Sequence, residues 1–160
     1  MIQHAAGDTY ERALAMLDRR SYASAELRRR LAQRGHPPAA IDAAVARLVA
    51  AGLLDDVAYA RQFTRAKLTD GGMAPLRVRR ELARRGVDRA VVDAALADVV
   101  SEEGIDRVAT LEHLARRRLG ALTACDDRTR RRRLAAYLAR RGYATDEIIR
   151  TVNHLLDRGR

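Results

Sequence analysis

The chain has 160 residues, 48% hydrophobic and 32% charged, with 3 Pro, no Trp and only 4% aromatic residues. Ala, Leu and Arg dominate, which favours helix over strand, and the joint abundance of apolar and charged residues excludes a disordered polar chain. The formal net charge of +10 points to an anionic partner, nucleic acid or an acidic protein surface, and the single Cys125 excludes a disulfide framework or a paired-cysteine metal site.

In chain order, the residues before Tyr10 lack the basic and apolar stretches of a secretory leader, and no run approaches the ~20 apolar residues of a membrane span. A cytoplasmic protein is expected. Asp8 with Glu11 reads as a capping box opening a helix with Tyr10, Ala13, Leu14 and Leu17 on one face. Leu27 and Leu31 lie one turn apart on a second helix that ends at Gly35, and Pro38 opens a third through Ile41, Val45 and Leu48. After a break near Gly52, Asp55 and Asp56 cap a helix carrying Tyr59, Phe63 and Ala66, with Tyr59 and Phe63 assigned to the core. Gly71-Gly72 is a loop; Val78 and Leu82 then mark a helix up to Gly86, and a further helix after Asp88 carries Val92, Leu96 and Val99. Beyond Gly104, a helix from Ile105 to Leu119 presents Val108, Leu111, Ala115 and Leu119. The loop Leu122–Asp127 leads to Leu134 and Leu138 before Gly142, and Ile148, Val152 and Leu155 follow Thr145.

These elements repeat. Leu31-Ala32-Gln33-Arg34-Gly35, Leu82-Ala83-Arg84-Arg85-Gly86 and Leu138-Ala139-Arg140-Arg141-Gly142 are copies of one pentapeptide, 51 and 56 residues apart. Apolar residues recur at fixed offsets from each Gly: Leu27, Val78 and Leu134 upstream, and Ile41, Val92 and Ile148 downstream. The expected fold is all-α: nine helices in three tandem three-helix repeats, residues 1–54, 55–104 and 105–160. A fifty-residue helical unit buries a modest core, so an elongated, curved array of packed repeats is expected.

The charge is unevenly spread. The three segments hold 8 basic and 5 acidic, 9 and 9, and 14 and 7 residues respectively. Arg77, Arg80 and Arg84 are spaced to share one face turned away from Val78 and Leu82, with Arg79 beside them and Arg85 at the helix end. Arg28, Arg29 and Arg34 repeat the offsets of Arg79, Arg80 and Arg85. Guanidinium forks of this kind grip carboxylates or phosphates. The third segment adds Arg116, Arg117 and Arg118, the run Arg130, Arg131, Arg132 and Arg133, and the pair Arg140 and Arg141. These suit weak, salt-sensitive attraction to phosphates, and the scarcity of aromatics argues against base stacking.

The sequence resembles the RecX family of bacterial regulators of the RecA recombinase. The resemblance is carried by Ala25-Glu26-Leu27-Arg28-Arg29-Arg30-Leu31 with Arg34-Gly35, by Leu48-Val49-Ala50-Ala51-Gly52-Leu53-Leu54-Asp55-Asp56, by Tyr59-Ala60-Arg61-Gln62-Phe63 and by Ala74-Pro75-Leu76-Arg77-Val78. It spans roughly residues 10 to 158, with Ala74 standing where the family commonly has Gly. It implies a non-enzymatic protein that binds RecA and its nucleoprotein filament; a monomer without cofactor is expected. Such a protein would suppress RecA ATPase, strand exchange and the co-protease activity behind the SOS response.

Catalytic readings find little footing. His4, His36, His113 and His154 lack metal-ligand spacing, Cys125 has no base partner, and no Gly-rich phosphate loop is present. The alternative is an architectural duplex-DNA-binding protein with helix-turn-helix-like modules. The third helices, however, carry Asp42-Ala43-Ala44 and Asp93-Ala94-Ala95, poor side chains for reading base edges. A generic protein–protein scaffold is the third possibility.

Overall fold

The computed structural model describes residues 2–157, with side chains from residue 7 onward. Among the described residues it contains nine α-helices and no strand: α1 (Ile2–Arg19), α2 (Ser24–Ala32), α3 (Pro38–Ala50), α4 (Asp56–Arg65), α5 (Pro75–Arg85), α6 (Arg89–Glu102), α7 (Arg107–Gly120), α8 (Asp127–Arg140) and α9 (Thr145–Asp157). A π-helical turn, Ala66–Asp70, continues α4. The all-α, three-repeat reading of the sequence is the fold observed.

Helix starts are set by short acceptors. Asp55 accepts from the backbone N–H of Val57 and Ala58 at 2.8 and 3.0 Å. Asp106 does the same for Val108 and Ala109 on α7, and Asp126 for Thr129 on α8, at 2.8, 3.1 and 2.9 Å. The backbone hydrogen bond from Thr129 holds the Asp126 carboxyl below its ordinary pKa. Helix ends are set by glycine: Gly35, Gly86 and Gly142 have φ of +84°, +82° and +88°, the left-handed geometry that closes a helix.

Four local expectations need correction. Asp8 is not an N-cap, because α1 already begins at Ile2; no proline interrupts the upstream residues, so the helix runs through the apparent capping box. Asp55 alone caps α4. Asp56 instead accepts from the backbone N–H of Ser24 at 2.7 Å, capping α2, whose own N-cap residue, Ala23, has no side-chain acceptor. Val108 is 67% exposed, while Leu114 is buried in its place. Ala66 is also exposed, because the wider π turn shifts the register and buries Leu68 instead.

The chain divides into two compact units, Met1–Phe63 with Glu81–Leu96, and Thr64–Arg80 with Ala97–Arg160. In the first, α1 and α2 pack on α3, around Ala13, Met16, Leu27, Leu31, Ile41, Val45, Leu48 and Leu54. In the second, α7, α8 and α9 pack together, around Leu111, Leu114, Ala115, Leu134, Leu138, Tyr143, Ile148, Val152 and Leu156, with Ala74 completing the cluster. Ala74 donates its N–H to the Arg141 carbonyl at 2.9 Å. The fully buried methyl thus has a packing role here.

Each unit contains the same joint between successive repeats. In the first, a Cβ on Gly86 would lie 2.5 Å from the Ala25 Cβ, in the first turn of α2; in the second, a Cβ on Gly142 would lie 2.5 Å from the Arg77 Cβ, in the first turn of α5. The glycine that ends one repeat's second helix therefore seats on the start of the preceding repeat's second helix. Ala23 and Ala74, twelve residues before Gly35 and Gly86, are fully buried beneath these joints. The equivalent position in the third repeat is Arg130.

Candidate functional site

The basic side chains fall into two classes: those folded into intramolecular partnerships and those left pointing outward. In the first unit, Arg28 pairs with Asp42 across α2 and α3. Arg34 is exposed and donates to the Arg30 carbonyl at 3.0 Å. Arg29 is exposed and has no polar partner. Arg84 is 73% exposed and only 3.9 Å from Glu81. Arg85 behaves differently: it is half-buried, its guanidinium lies 4.6 Å from the Phe63 ring centroid, and it donates to the Glu81 carbonyl at 2.9 Å. Offset by three and seven residues from Leu82 and Val78, Arg85 lies on the inward stripe of α5 and serves packing.

A buried carboxylate organises the start of α2. Glu26 is 6% exposed and accepts from Arg20 and Arg30 at 2.7 and 3.1 Å. Burial alone would raise its pKa, but the two guanidinium hydrogen bonds outweigh that effect and hold it below the ordinary value. Arg20 also lies 3.7 Å over the Tyr22 ring. Tyr59 stacks on Phe63 with centroids 6.2 Å apart and is buried.

In the second unit, Arg77 is half-buried with its Cβ against Gly142, so it does not share the outward face expected of it. Arg79 and Arg80 are exposed. Arg116 pairs with Glu112 at 2.7 Å, Arg130 with Asp127 at 3.4 Å, and Arg131 with Asp157 and Asn153 at 2.5 and 3.0 Å. Arg118 and Arg141 lie 5.5 and 4.9 Å from the Tyr137 ring centroid. Arg133 reaches the Cys125 sulfur at 3.4 Å. Arg117, Arg132 and Arg140 are exposed without polar partners, as is Arg128, which the sequence reading did not single out. Arg128 could have been found from its position one turn before Arg132, on the same face of α8.

On α2, α5, α7 and α8 the outward set is therefore Arg29, Arg80, Arg117, Arg128, Arg132 and Arg140, with Arg84 held only loosely; Arg12 and Arg19 on α1 are exposed as well. Such guanidiniums have no internal partner to forfeit when a carboxylate or phosphate approaches. His4 lies outside the described side chains. His36 shares a 2.9 Å hydrogen bond with the Thr9 hydroxyl. Among the described residues no group of three or more His, Cys, Asp or Glu could hold a metal ion, and no helix is long and apolar enough to cross a membrane.

Comparison with known proteins decides the family. Family models described as the first, second and third three-helix domains of RecX match residues 10–48, 55–96 and 105–152. The chain belongs to the RecX family. It is 38% identical over 141 residues to the protein named regulatory protein RecX from Pseudomonas savastanoi, covering 88% of this chain and 87% of that one. Its identity to a namesake from Stenotrophomonas maltophilia is 40% over 144 residues, covering 90% and 85%. The crystal structure of RecX from Lactobacillus salivarius superposes with a TM-score of 0.72 at 18% identity, covering 96% of this chain and 97% of the other. A second crystal structure of a regulatory protein RecX gives 0.70 at 19% identity, covering 91% and 70%. At these identities the solved structures establish the RecX fold.

Proposed function

We propose that this chain is a regulatory protein that binds the RecA recombinase and its nucleoprotein filament, and thereby restrains ATP hydrolysis, strand exchange and the SOS co-protease activity. Family membership and the names of the relatives support the regulatory role. The single observation that carries the docking chemistry is the set of exposed arginines with no internal partner, on α2, α5, α7 and α8.

In this reading the chain acts by binding rather than by catalysis, in the cytoplasm and as a monomer. The three repeats of 1–54, 55–104 and 105–160 engage neighbouring RecA protomers, and the bound chain opposes the movement that ATP turnover and DNA pairing require. Arg29, Arg80 and Arg84 meet carboxylates on RecA. Arg117, Arg128, Arg132 and Arg140 add a weak, sequence-independent attraction to phosphate that falls with salt. Arg28, Arg77, Arg85, Arg116, Arg118, Arg130, Arg131 and Arg141 hold the fold first. Arg34, Arg79 and Arg133 flank the docking set.

The test is single-strand-dependent ATP hydrolysis by RecA with and without this protein, beside the variant Arg29→Glu/Arg80→Glu/Arg84→Glu. Inhibition by the wild type that the variant loses while remaining folded is the expected result. Unchanged ATP hydrolysis with folded wild type overturns the proposal.

A further inference from the structure

The first unit also carries a surface of the opposite sign. A groove of about 670 Å3 runs along α1, the turn after α3 and the start of α4, and it is lined by Glu11, Asp18 and Asp55 together with Leu14, Leu17 and Leu53. No Lys or Arg lines it, although the chain as a whole carries a net charge of +10. Glu11 and Asp18 are exposed and have no ion-pair partner. Of the apolar lining, Leu53 is 53% exposed; Val49 and Val57, four residues to either side of it and outside the lining, are 51% and 54% exposed.

Two features make this a recognition surface rather than a solvated dent. Exposed aliphatic side chains of this size, close together in sequence and rimmed by charge, mark contact sites on soluble proteins. A groove of several hundred Å3 with an apolar floor and a few placed polar groups is also the usual form of a side-chain-binding cleft. The spacing of the rim then defines the occupant. Glu11 and Asp18 are seven residues apart on one face of α1, which is about 10 Å along the helix axis, with Leu14 between them.

We infer that this groove binds a short amphipathic helix of a partner protein, bearing two Arg or Lys seven residues apart around a Leu-type anchor. The two cations face Glu11 and Asp18, and the anchor covers Leu14 and Leu53. This goes beyond the RecA proposal and does not depend on which protein supplies the helix.

The test needs no RecA. A fluorescein-labelled synthetic helical peptide with Arg at two positions seven apart and Leu between them is titrated with the full chain, and its anisotropy is read at low and high salt. The same titration is run with Glu11→Lys/Asp18→Lys, with Leu53→Ser, and with a control peptide carrying Glu for Arg. Asp55 is left intact because it caps α4. Saturable, salt-weakened binding to the Arg peptide is expected. It should weaken about tenfold or more in the charge-reversed variant, where two exposed attractions become repulsions, and measurably in Leu53→Ser. Circular dichroism should match the wild type in both variants, since all three side chains are exposed. Absence of binding, or equal binding by the wild type and the charge-reversed variant, overturns the inference. So does a concentration-dependent dimer of the wild type that the charge-reversed variant abolishes, since the occupant would then be a second copy of this chain.

Discussion

The substitution Gly86→Ala, set beside Gly35→Ala, isolates the joint between repeats. Both glycines have nearly the same left-handed backbone, φ +82° and +84°, so both substitutions force an alanine into a region it disfavours. That shared cost is about 1 kcal/mol, partly offset by the lower unfolded-state entropy of alanine, roughly 0.4–1 kcal/mol. Their surroundings differ. Nothing lies within 4 Å of a Cβ on Gly35, whereas a Cβ on Gly86 would sit 2.5 Å from the Ala25 Cβ. Carbon atoms pack at about 3.5–4.0 Å, so the start of α2 must retreat by roughly 1 Å, a strain typical of overpacking at about 1–3 kcal/mol. Gly35→Ala should therefore cost less than about 1 kcal/mol and Gly86→Ala about 2 kcal/mol more, measured by urea unfolding followed by circular dichroism. Adding Ala25→Gly should recover at least half of the extra loss, because it removes the other methyl of the clash. Equal costs for the two glycines, or no rescue by Ala25→Gly, would show that the joint does not exist as described.

Other outcomes follow from individual contacts. Asp56→Ala should cost about 1 kcal/mol, as the loss of a helix cap does, and should speed amide exchange at Ser24 on α2, while Asp55→Ala does so at Val57 and Ala58 on α4. Glu26, whose folded pKa is depressed, stabilises the fold above its unfolded pKa, and this contribution is lost as pH falls through the folded value. The stability gap between wild type and Glu26→Gln should therefore be full near neutrality and close on acidification below the ordinary value of 4.5; a gap that persists in acid contradicts the ion-pair assignment. Arg85→Ala should lower stability by about 1 kcal/mol through loss of its contact with Phe63, yet leave inhibition of RecA unchanged. Arg80→Glu should do the reverse in the same two assays.

The three-repeat fold was legible in the sequence because its determinants are local and recur: a helix-closing Gly, leucines one turn apart, and short acceptors at helix starts. The errors arose where a residue answers to something distant. Asp56 caps a helix beginning 32 residues earlier, which no local pattern reveals. Asp8 and Glu11 have the spacing of a capping box, but nothing upstream stops the helix. The π turn after Arg65 moves the buried position from Ala66 to Leu68, a register change invisible to a 3.6-residue template. Arginine was the hardest residue to place, since it serves equally as partner, ring cover and free cation. Its count led to the expectation of an anionic partner, but only the positions of Glu81, Asp157 and Tyr137 separate Arg85, Arg131 and Arg141 from Arg29, Arg80 and Arg132. The acidic groove was missed because Asp55 joins Glu11 and Asp18 only through packing; the seven-residue spacing of the latter pair was its one sequence signal.

The central claim is that the outward arginines dock this chain on a RecA filament. Co-sedimentation tests it most directly, with labelled protein mixed with preformed RecA–single-strand filaments, with the single strand alone, and with buffer. The wild type should pellet with filaments far more than with bare strand, and Arg29→Glu/Arg80→Glu/Arg84→Glu should stay in the supernatant while unfolding at the same urea concentration. Wild type that remains in the supernatant with filaments, or a variant that pellets equally well, would contradict the account.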